Sequence, residues 1–275
     1  MERIGFCIRC CDYKEAKALV AATEAALAAG AEIRRLFGHP HQIRMKGEID
    51  LVTEADLASE KIIIEILARR FAGPVILAEE SFDEGGGKPL GDSLWIIDPL
   101  DGTTNFAHGF PHFCVSIAWF FEGRSRVGVI YDPVADELFC AALDAGSWLN
   151  GSRIQVTNAR ALVQSLVATG FPYEIRRFGD TVLAQLGRVL PEVRDIRRAG
   201  AAALDLAYVA CGRLDGFWEM NLKPWDTAAG QILLIEAGGQ LSSFGGGIWD
   251  PFLPEVVATN GLIHNDLVAL LAGPG

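Results

Sequence analysis

The segment Trp95-Ile-Ile-Asp-Pro-Leu-Asp-Gly-Thr-Thr-Asn-Phe106 concentrates groups that can do chemistry. An apolar strand delivers Asp98 at its C-terminal end, Pro99 forces a turn, and Asp101 returns close to Asp98 in space. Gly102 lets the backbone bend, and Thr103 with Thr104 opens a helix N-terminus. Two carboxylates beside free backbone N–H groups suit a divalent metal and a phosphate held together. Other acids stand at matching places: Glu79-Glu80 after the strand Val75-Ile-Leu77, Asp50 and Asp56 around Val52-Thr53, and Asp226 at the start of a helix after Trp225. Singly, each also reads as a turn starter, an N-cap or a solvated loop residue. Jointly they supply the several carboxylates, converging from different loops, that a hard divalent cation requires.

Those residues need elements to position them. Ala-rich helical spacing predicts a long helix over Lys14 to Phe37, stopped by Gly38-His39-Pro40. A short strand over Gln42 to Met45 follows, then a helix from Asp56 to Phe71. Pro74 to Leu77 and Leu94 to Ile97 read as strands on either side of the Gly85 to Gly87 loop. Cys114 to Phe121, Val127 to Tyr131 and Glu137 to Leu143 read as an antiparallel set separated by turn signals. From about Val156, strands and helices alternate: strands at Leu166 to Ala168, Val193 to Ile196, Gly216 to Trp218, Gln240 to Ser243 and Val256 to Thr259. The helices lie around Arg176 to Val189, Ala201 to Cys211, Thr227 to Ala237 and after Asn265. The expected class is α+β, with an antiparallel-sheet subdomain over 1–155 that carries most of the candidate ligands. An alternating α/β subdomain over 156–275 supplies Asp226, and the two pack as one rigid unit.

Composition narrows the function classes. The chain has 275 residues, enough for a large core. Its 24 Lys and Arg against 35 Asp and Glu give a formal net charge of −11, which repels phosphate backbones and anionic lipid. Nucleic acid is therefore not expected as a partner. The charge-free stretch from Gly102 to Phe121 is long enough to span a bilayer, but its first half is polar, so no membrane segment is expected. The N-terminus lacks the apolar run of a signal peptide, and six cysteines are too unevenly placed for a disulfide framework. A reduced, cytoplasmic setting is expected. Cys7, Cys10 and Cys11 lack the further ligand pair a structural zinc would need, and read as little more than a frayed leader.

The acidic segments resemble the inositol monophosphatase family of Mg²⁺-dependent, lithium-sensitive phosphatases. Asp50-Leu-Val-Thr-Glu-Ala-Asp56, Glu79-Glu-Ser81, Trp95 to Phe106 and Trp225-Asp-Thr-Ala-Ala-Gly230 match its signatures in order, as does Gly200-Ala-Ala-Ala-Leu-Asp205 through Gly216-Phe-Trp-Glu219. The resemblance implies a layered αβαβα sandwich and a homodimer acting on a small phosphate monoester with two to three Mg²⁺ ions. It implies a first ion on Glu79, Asp98 and the Leu100 carbonyl, and a second on Asp98, Asp101 and Asp226. A third, weaker ion would share Glu79. Thr103, hydrogen-bonded to Asp50, would align the attacking water with help from Glu79, and the N–H groups of Gly102 and Thr103 would hold phosphate oxygens. Substrate hydroxyls would meet Asp101, Asp226, Glu219 and the Gly200, Ala201 and Ala202 backbone, with Arg197 approaching. Glu80, Lys46 and Asp56 would be supporting residues. Glu219 lies seven residues before Asp226, as the family pattern requires. Ala201 departs from that pattern, which usually has Ser or Thr after the glycine, and this bears on which polyol is accepted.

The expected reaction is hydrolysis of inositol 1-phosphate. Fructose 1,6-bisphosphate and other sugar phosphates are the alternative, and a regulatory binding protein on the same fold is a more distant one. A haloacid-dehalogenase mechanism places its two aspartates two apart, whereas Asp98 and Asp101 are three apart. No G-x-S-x-G, GK[ST] or G-x-G-x-x-G motif supports a serine hydrolase, P-loop or dinucleotide reading.

Overall fold

The computed structural model describes residues 2–39, 43–45, 51–82 and 93–273. In chain order the first elements are α1 (Gly5–Cys10), α2 (Tyr13–Leu36), β1 (Ile43–Met45), β2 (Leu51–Thr53), α3 (Glu54–Arg70), β3 (Ile76–Ala78), β4 (Ser93–Asp101) and α4 (Thr103–Ala107). Five strands follow: β5 (Cys114–Phe121), β6 (Arg124–Asp132), β7 (Glu137–Ala142), β8 (Gly146–Leu149) and β9 (Ser152–Ile154). The C-terminal part holds β10 (Leu166–Thr169), α5 (Ile175–Val189), β11 (Asp195–Arg197), α6 (Ala202–Ala210), β12 (Gly216–Met220), α7 (Pro224–Glu236), β13 (Gln240–Ser242), β14 (Glu255–Thr259) and α8 (His264–Ala272).

Three separate cores stack these elements into the five layers of an αβαβα sandwich. In the first, α2 and α3 lie on one face of a seven-stranded sheet ordered β3-β4-β5-β6-β7-β8-β9. The Ala18, Ala21, Ala22, Ala25, Ala26 and Ala29 stripe of α2 is fully buried there. Its short side chains let the helix approach the strands closely, so Gly30 lies against the Tyr131 ring, where a Cβ would come within 2.5 Å. In the second core, α6 and α7 fill the space between the other face of that sheet and a five-stranded sheet ordered β11-β10-β12-β14-β13. The third core places α5 and α8 on the outer face of the second sheet, around Val167, Trp218 and Val257.

Several expectations need correction. The seven-stranded sheet is not wholly antiparallel, because β3 runs parallel to β4 at its edge. β8 and β9 extend the sheet beyond the expected strands, paired by hairpin hydrogen bonds rather than marked by long apolar runs. The N-terminus is no frayed leader: Ile4, at the N-cap of α1, and Cys7 within it pack into the first core, and the Cys11 thiol donates to the Cys7 carbonyl at 3.0 Å. Pro99 does not break the chain into a turn either. β4 continues through Asp101, and the irregularity is a bulge between Asp98 and Asp101, the position where a strand tolerates proline.

Candidate active site

The bulge sets the floor of the site. Asp98 Oδ1 accepts the Leu100 N–H at 3.0 Å, which closes the local loop. Ser59 of α3 donates to the Pro99 carbonyl at 2.7 Å and clamps it from below. Gly102 then turns the chain with φ of 96° and lies against the His112 carbonyl, 2.9 Å from where a Cβ would stand. A side chain there would meet both strain and a clash. The chain leaves Gly102 directly into α4, so Thr103 faces the same cavity as Asp98 and Asp101.

Three further elements close the space. Glu79 follows β3 and is tied to β4 by its N–H to the Ile97 carbonyl, 3.2 Å. Asp226 is not an N-cap, the reading it also allowed when taken singly. Pro224 starts α7 two residues earlier, and Asp226 stands at N3 with Oδ2 accepting the Lys223 N–H at 2.7 Å. Ser116 of β5 donates to the Trp225 carbonyl at 3.2 Å, fixing that end of α7 to the sheet. From α6, the Ala203 N–H donates to Asp101 Oδ2 at 2.7 Å. Ala201 has no side chain with which to cap α6, so Asp101 caps that helix from another layer. Asn105 completes the link by donating to the Ala199 carbonyl at 2.9 Å and the His112 carbonyl at 2.7 Å.

The result is a cavity of about 320 Å³ lined by Glu79, Asp98, Asp101, Glu219 and Asp226, with the Thr103 hydroxyl among them. Burial first, and then the charges of Glu79, Asp101 and Asp226, push Asp98 well above the ordinary carboxylate range. Asp101 is pushed up to about 7 by burial, against the lowering pull of the Ala203 N–H. Asp226 is raised by burial and by Asp101, and Glu219 by burial, Asp226 and Asp205. Such mutual repulsion in a dry site calls for a cation. The donors are all oxygen, four carboxylates from three places in the fold (after β3, on β4 and on α7) plus the Leu100 carbonyl, which suits Mg²⁺ rather than a thiophilic metal. Among the described residues no three acidic, His or Cys side chains are already drawn into a coordination shell. Asp98, Asp101 and Asp226 instead rest on backbone N–H groups.

Thr103 has a partner that the sequence reading did not give it. Its Oγ1 lies 2.8 Å from Asp56 Oδ1 and 3.0 Å from the Leu100 carbonyl. Asp56 is fully buried at N3 of α3, not at the N-cap, which is Thr53. Its Oδ2 accepts both the Thr53 N–H at 2.8 Å and the Thr53 hydroxyl at 2.5 Å. Asp50, expected in this role, and Lys46 lie outside the described residues. The signal was in Thr53-Glu-Ala-Asp56, whose capping box fixes the acid toward the interior.

The other expected contacts divide. Gly102, Gly200 and Ala202 line the cavity; Ala201 is buried and does not. Glu80 does not line it, and its N–H donates to Glu60 at 2.9 Å. Arg197 is also elsewhere: it pairs with Asp195 at 2.5 Å on the exposed edge strand, and it is the next residue, Arg198, that lines the cavity. Arg197 is the last residue of β11, whereas Arg198 opens the turn that leads to α6. Gly170, Phe171 and Tyr173 also line the cavity and had drawn no notice in the sequence. A Cβ on Gly170 would fall 2.0 Å from the Glu219 carboxyl carbon, so the absent side chain is the space that Glu219 occupies.

A layered α+β sandwich with buried acids meeting at a strand bulge defines the class of fold and site. More narrowly, the chain belongs to the inositol monophosphatase family, which it matches over residues 14–273. It is 47% identical over 253 residues to an inositol-1-monophosphatase of Synechocystis, covering 91% of this chain and 87% of that one. It is 43% identical over 250 residues to the Nus factor SuhB of Escherichia coli, covering 90% and 93%. Among solved structures, an inositol monophosphatase from Anabaena superposes with a TM-score of 0.83 at 43% identity, covering 94% of this chain and 96% of that one. Among the described residues no helix is long and apolar enough to cross a membrane.

Proposed function

We propose that this chain is a Mg²⁺-dependent phosphomonoesterase that hydrolyses inositol 1-phosphate to inositol and phosphate. The observation that carries the reading is the Thr103–Asp56 pair set among Glu79, Asp98, Asp101 and Asp226. Glu79, Asp98, the Leu100 carbonyl, Asp101 and Asp226 are the groups that would hold Mg²⁺. When bound, the metal cancels phosphate charge, lowers the pKa of water and stabilises the leaving alkoxide.

The protein's own groups do the rest. Thr103 donates its single hydroxyl hydrogen bond to Asp56 and keeps a lone pair for the cavity, where it accepts a hydrogen bond from water and orients the water oxygen to phosphorus. Thr53 holds Asp56 in place through two donated hydrogen bonds, and the N-terminus of α3 favours its negative charge. The N–H groups of Gly102 and Thr103 receive phosphate oxygens, and Glu219 accepts hydrogen bonds from polyol hydroxyls. The floor is buried, which limits competing bulk water.

The second substrate class is sugar phosphates including fructose 1,6-bisphosphate; Ala201, where the family usually has Ser or Thr, is buried outside the cavity and offers a polyol no hydroxyl. A homodimer, implied by the family, belongs to the same proposal and is read by sedimentation. A binding role is the remaining alternative, since a relative bears the name Nus factor SuhB. The test is phosphate release, with and without Mg²⁺ and lithium, from inositol 1-phosphate, fructose 1,6-bisphosphate, a nucleotide 3′-phosphate and histidinol phosphate. Mg²⁺-dependent, lithium-inhibited release, fastest from inositol 1-phosphate, is expected. A folded protein that releases phosphate from none of them would refute the reading.

A further inference from the structure

Arg198 leads from β11 into the turn that carries Gly200 to α6. Its guanidinium carbon stands 5.2 Å from the centre of the Phe171 ring. Its Nη1 lies 2.7 Å from where a Cβ on Gly200 would be, so the guanidinium occupies the room that this glycine leaves. Arg198, Phe171 and Gly200 all line the cavity. A guanidinium stacked on an aromatic ring keeps its N–H edge available, in the fork that matches phosphate and carboxylate oxygens.

Its lack of a partner sets it apart. Arg3 pairs with Asp136, Arg126 with Glu15 and Glu122, Arg197 with Asp195 and Arg213 with Glu137. Arg198, among the described residues, makes neither an ion pair nor a hydrogen bond, although acids outnumber bases in the chain by 35 to 24. Its charge reaches Glu219 and Asp205, drawing both down against burial, but neither carboxylate closes on it. The acids suited to a metal lie on β4, on α7 and after β3, whereas Arg198 stands with the β11–α6 turn and the loop after β10.

We infer that the Arg198–Phe171–Gly200 corner is an anion subsite, which takes a second phosphate or carboxylate on the leaving-group side of a polyol phosphate. This rests on the phosphatase reading and specifies its substrate class. The cleaved phosphate faces the acids and their metal, while the second anion meets the guanidinium edge. A neutral leaving group leaves that edge to solvent.

The experiment compares wild type with R198A and R198K on matched pairs that differ only in the second anion. One pair is fructose 1,6-bisphosphate against fructose 1-phosphate; the other is 6-phosphogluconate against sorbitol 6-phosphate. In R198A, the kcat/KM advantage of the doubly anionic member should fall about tenfold, with the singly anionic member changed less than about twofold. R198K should recover only part, because an ammonium lacks the fork. Loss confined to the first pair assigns the subsite to phosphate, and loss confined to the second assigns it to carboxylate. Equal loss on all four compounds, or on none, would overturn the subsite. Calorimetric binding of fructose 6-phosphate, which carries only the distal phosphate, needs no turnover. Affinity about tenfold weaker in R198A for fructose 6-phosphate, or for gluconate where the subsite takes carboxylate, is expected whether or not the phosphatase reading holds, and equal affinity for both would overturn the subsite by itself.

Discussion

The floor and the mouth of the cavity are built on opposite principles. On the floor, Asp98, Asp101, Asp226 and Thr103 are each tied to a backbone group or to Asp56, and each lies at the β4 bulge or in the first turn of a helix packed beside it. At the mouth, Arg198 is exposed and touches a ring and a glycine, and Tyr173 is 52% exposed. The floor is overdetermined by structure; the mouth is not. Chemistry that must place charges to a fraction of an ångström belongs on the first, and the choice of leaving group on the second.

Five substitutions or conditions grade that contrast. Asp98→Asn, at the bulge, should lower kcat by more than about 10³-fold while far-ultraviolet circular dichroism is preserved, because it strips charge from the centre and keeps the Leu100 hydrogen bond. Near-normal turnover would remove Asp98 from the centre. Next, Thr103→Ala should lower kcat about 10²-fold with KM changed little. Asp56→Asn should act through the same hydroxyl, so the double variant should be no slower than Thr103→Ala alone. Additive losses in that cycle would reduce Asp56 to a helix cap.

Gly170→Ala is expected to displace Glu219 and raise KM about tenfold, with kcat reduced less, since it disturbs the polyol side and leaves the floor intact. An unchanged KM would detach Glu219 from substrate. The smallest effect is thermodynamic. Asp101 has its folded pKa raised from an ordinary 3.8 to about 7, so its contribution is fully present below about 4 and is lost as pH rises through about 7. In a chelator the melting temperature should therefore fall between pH 4 and pH 7, by roughly 5 °C, and saturating Mg²⁺ should flatten that slope. A melting temperature that rises over this window without metal would contradict the charge-loaded floor.

How far the sequence disclosed this depends on whether a feature is local. The helix over Tyr13–Leu36 and the strand Cys114–Phe121 follow from composition and period, and both stand within a residue or so of expectation. The acids were legible because residue type and spacing announce them. What was not legible came from packing across layers. Asp101 caps α6 through Ala203, a contact 102 residues away in sequence. Asp56 reaches Thr103 over 47 residues, and nothing in its own segment names that partner. Gly170 matters for the side chain it lacks, and the exchange of Arg197 for Arg198 turns on where β11 ends. Pro99 misled because a local rule predicts a turn, whereas the bulge keeps strand pairing on both sides of it.

The central claim is that the buried acids form a divalent-cation centre serving phosphate hydrolysis. It is tested most directly by titrating Mg²⁺ into wild type and Asp98→Asn protein while following phosphate release from inositol 1-phosphate. Wild type should show saturable activation, abolished by chelator, and the variant almost none at any Mg²⁺ concentration. Equal release from both proteins, or release from the wild type that ignores Mg²⁺, would contradict it.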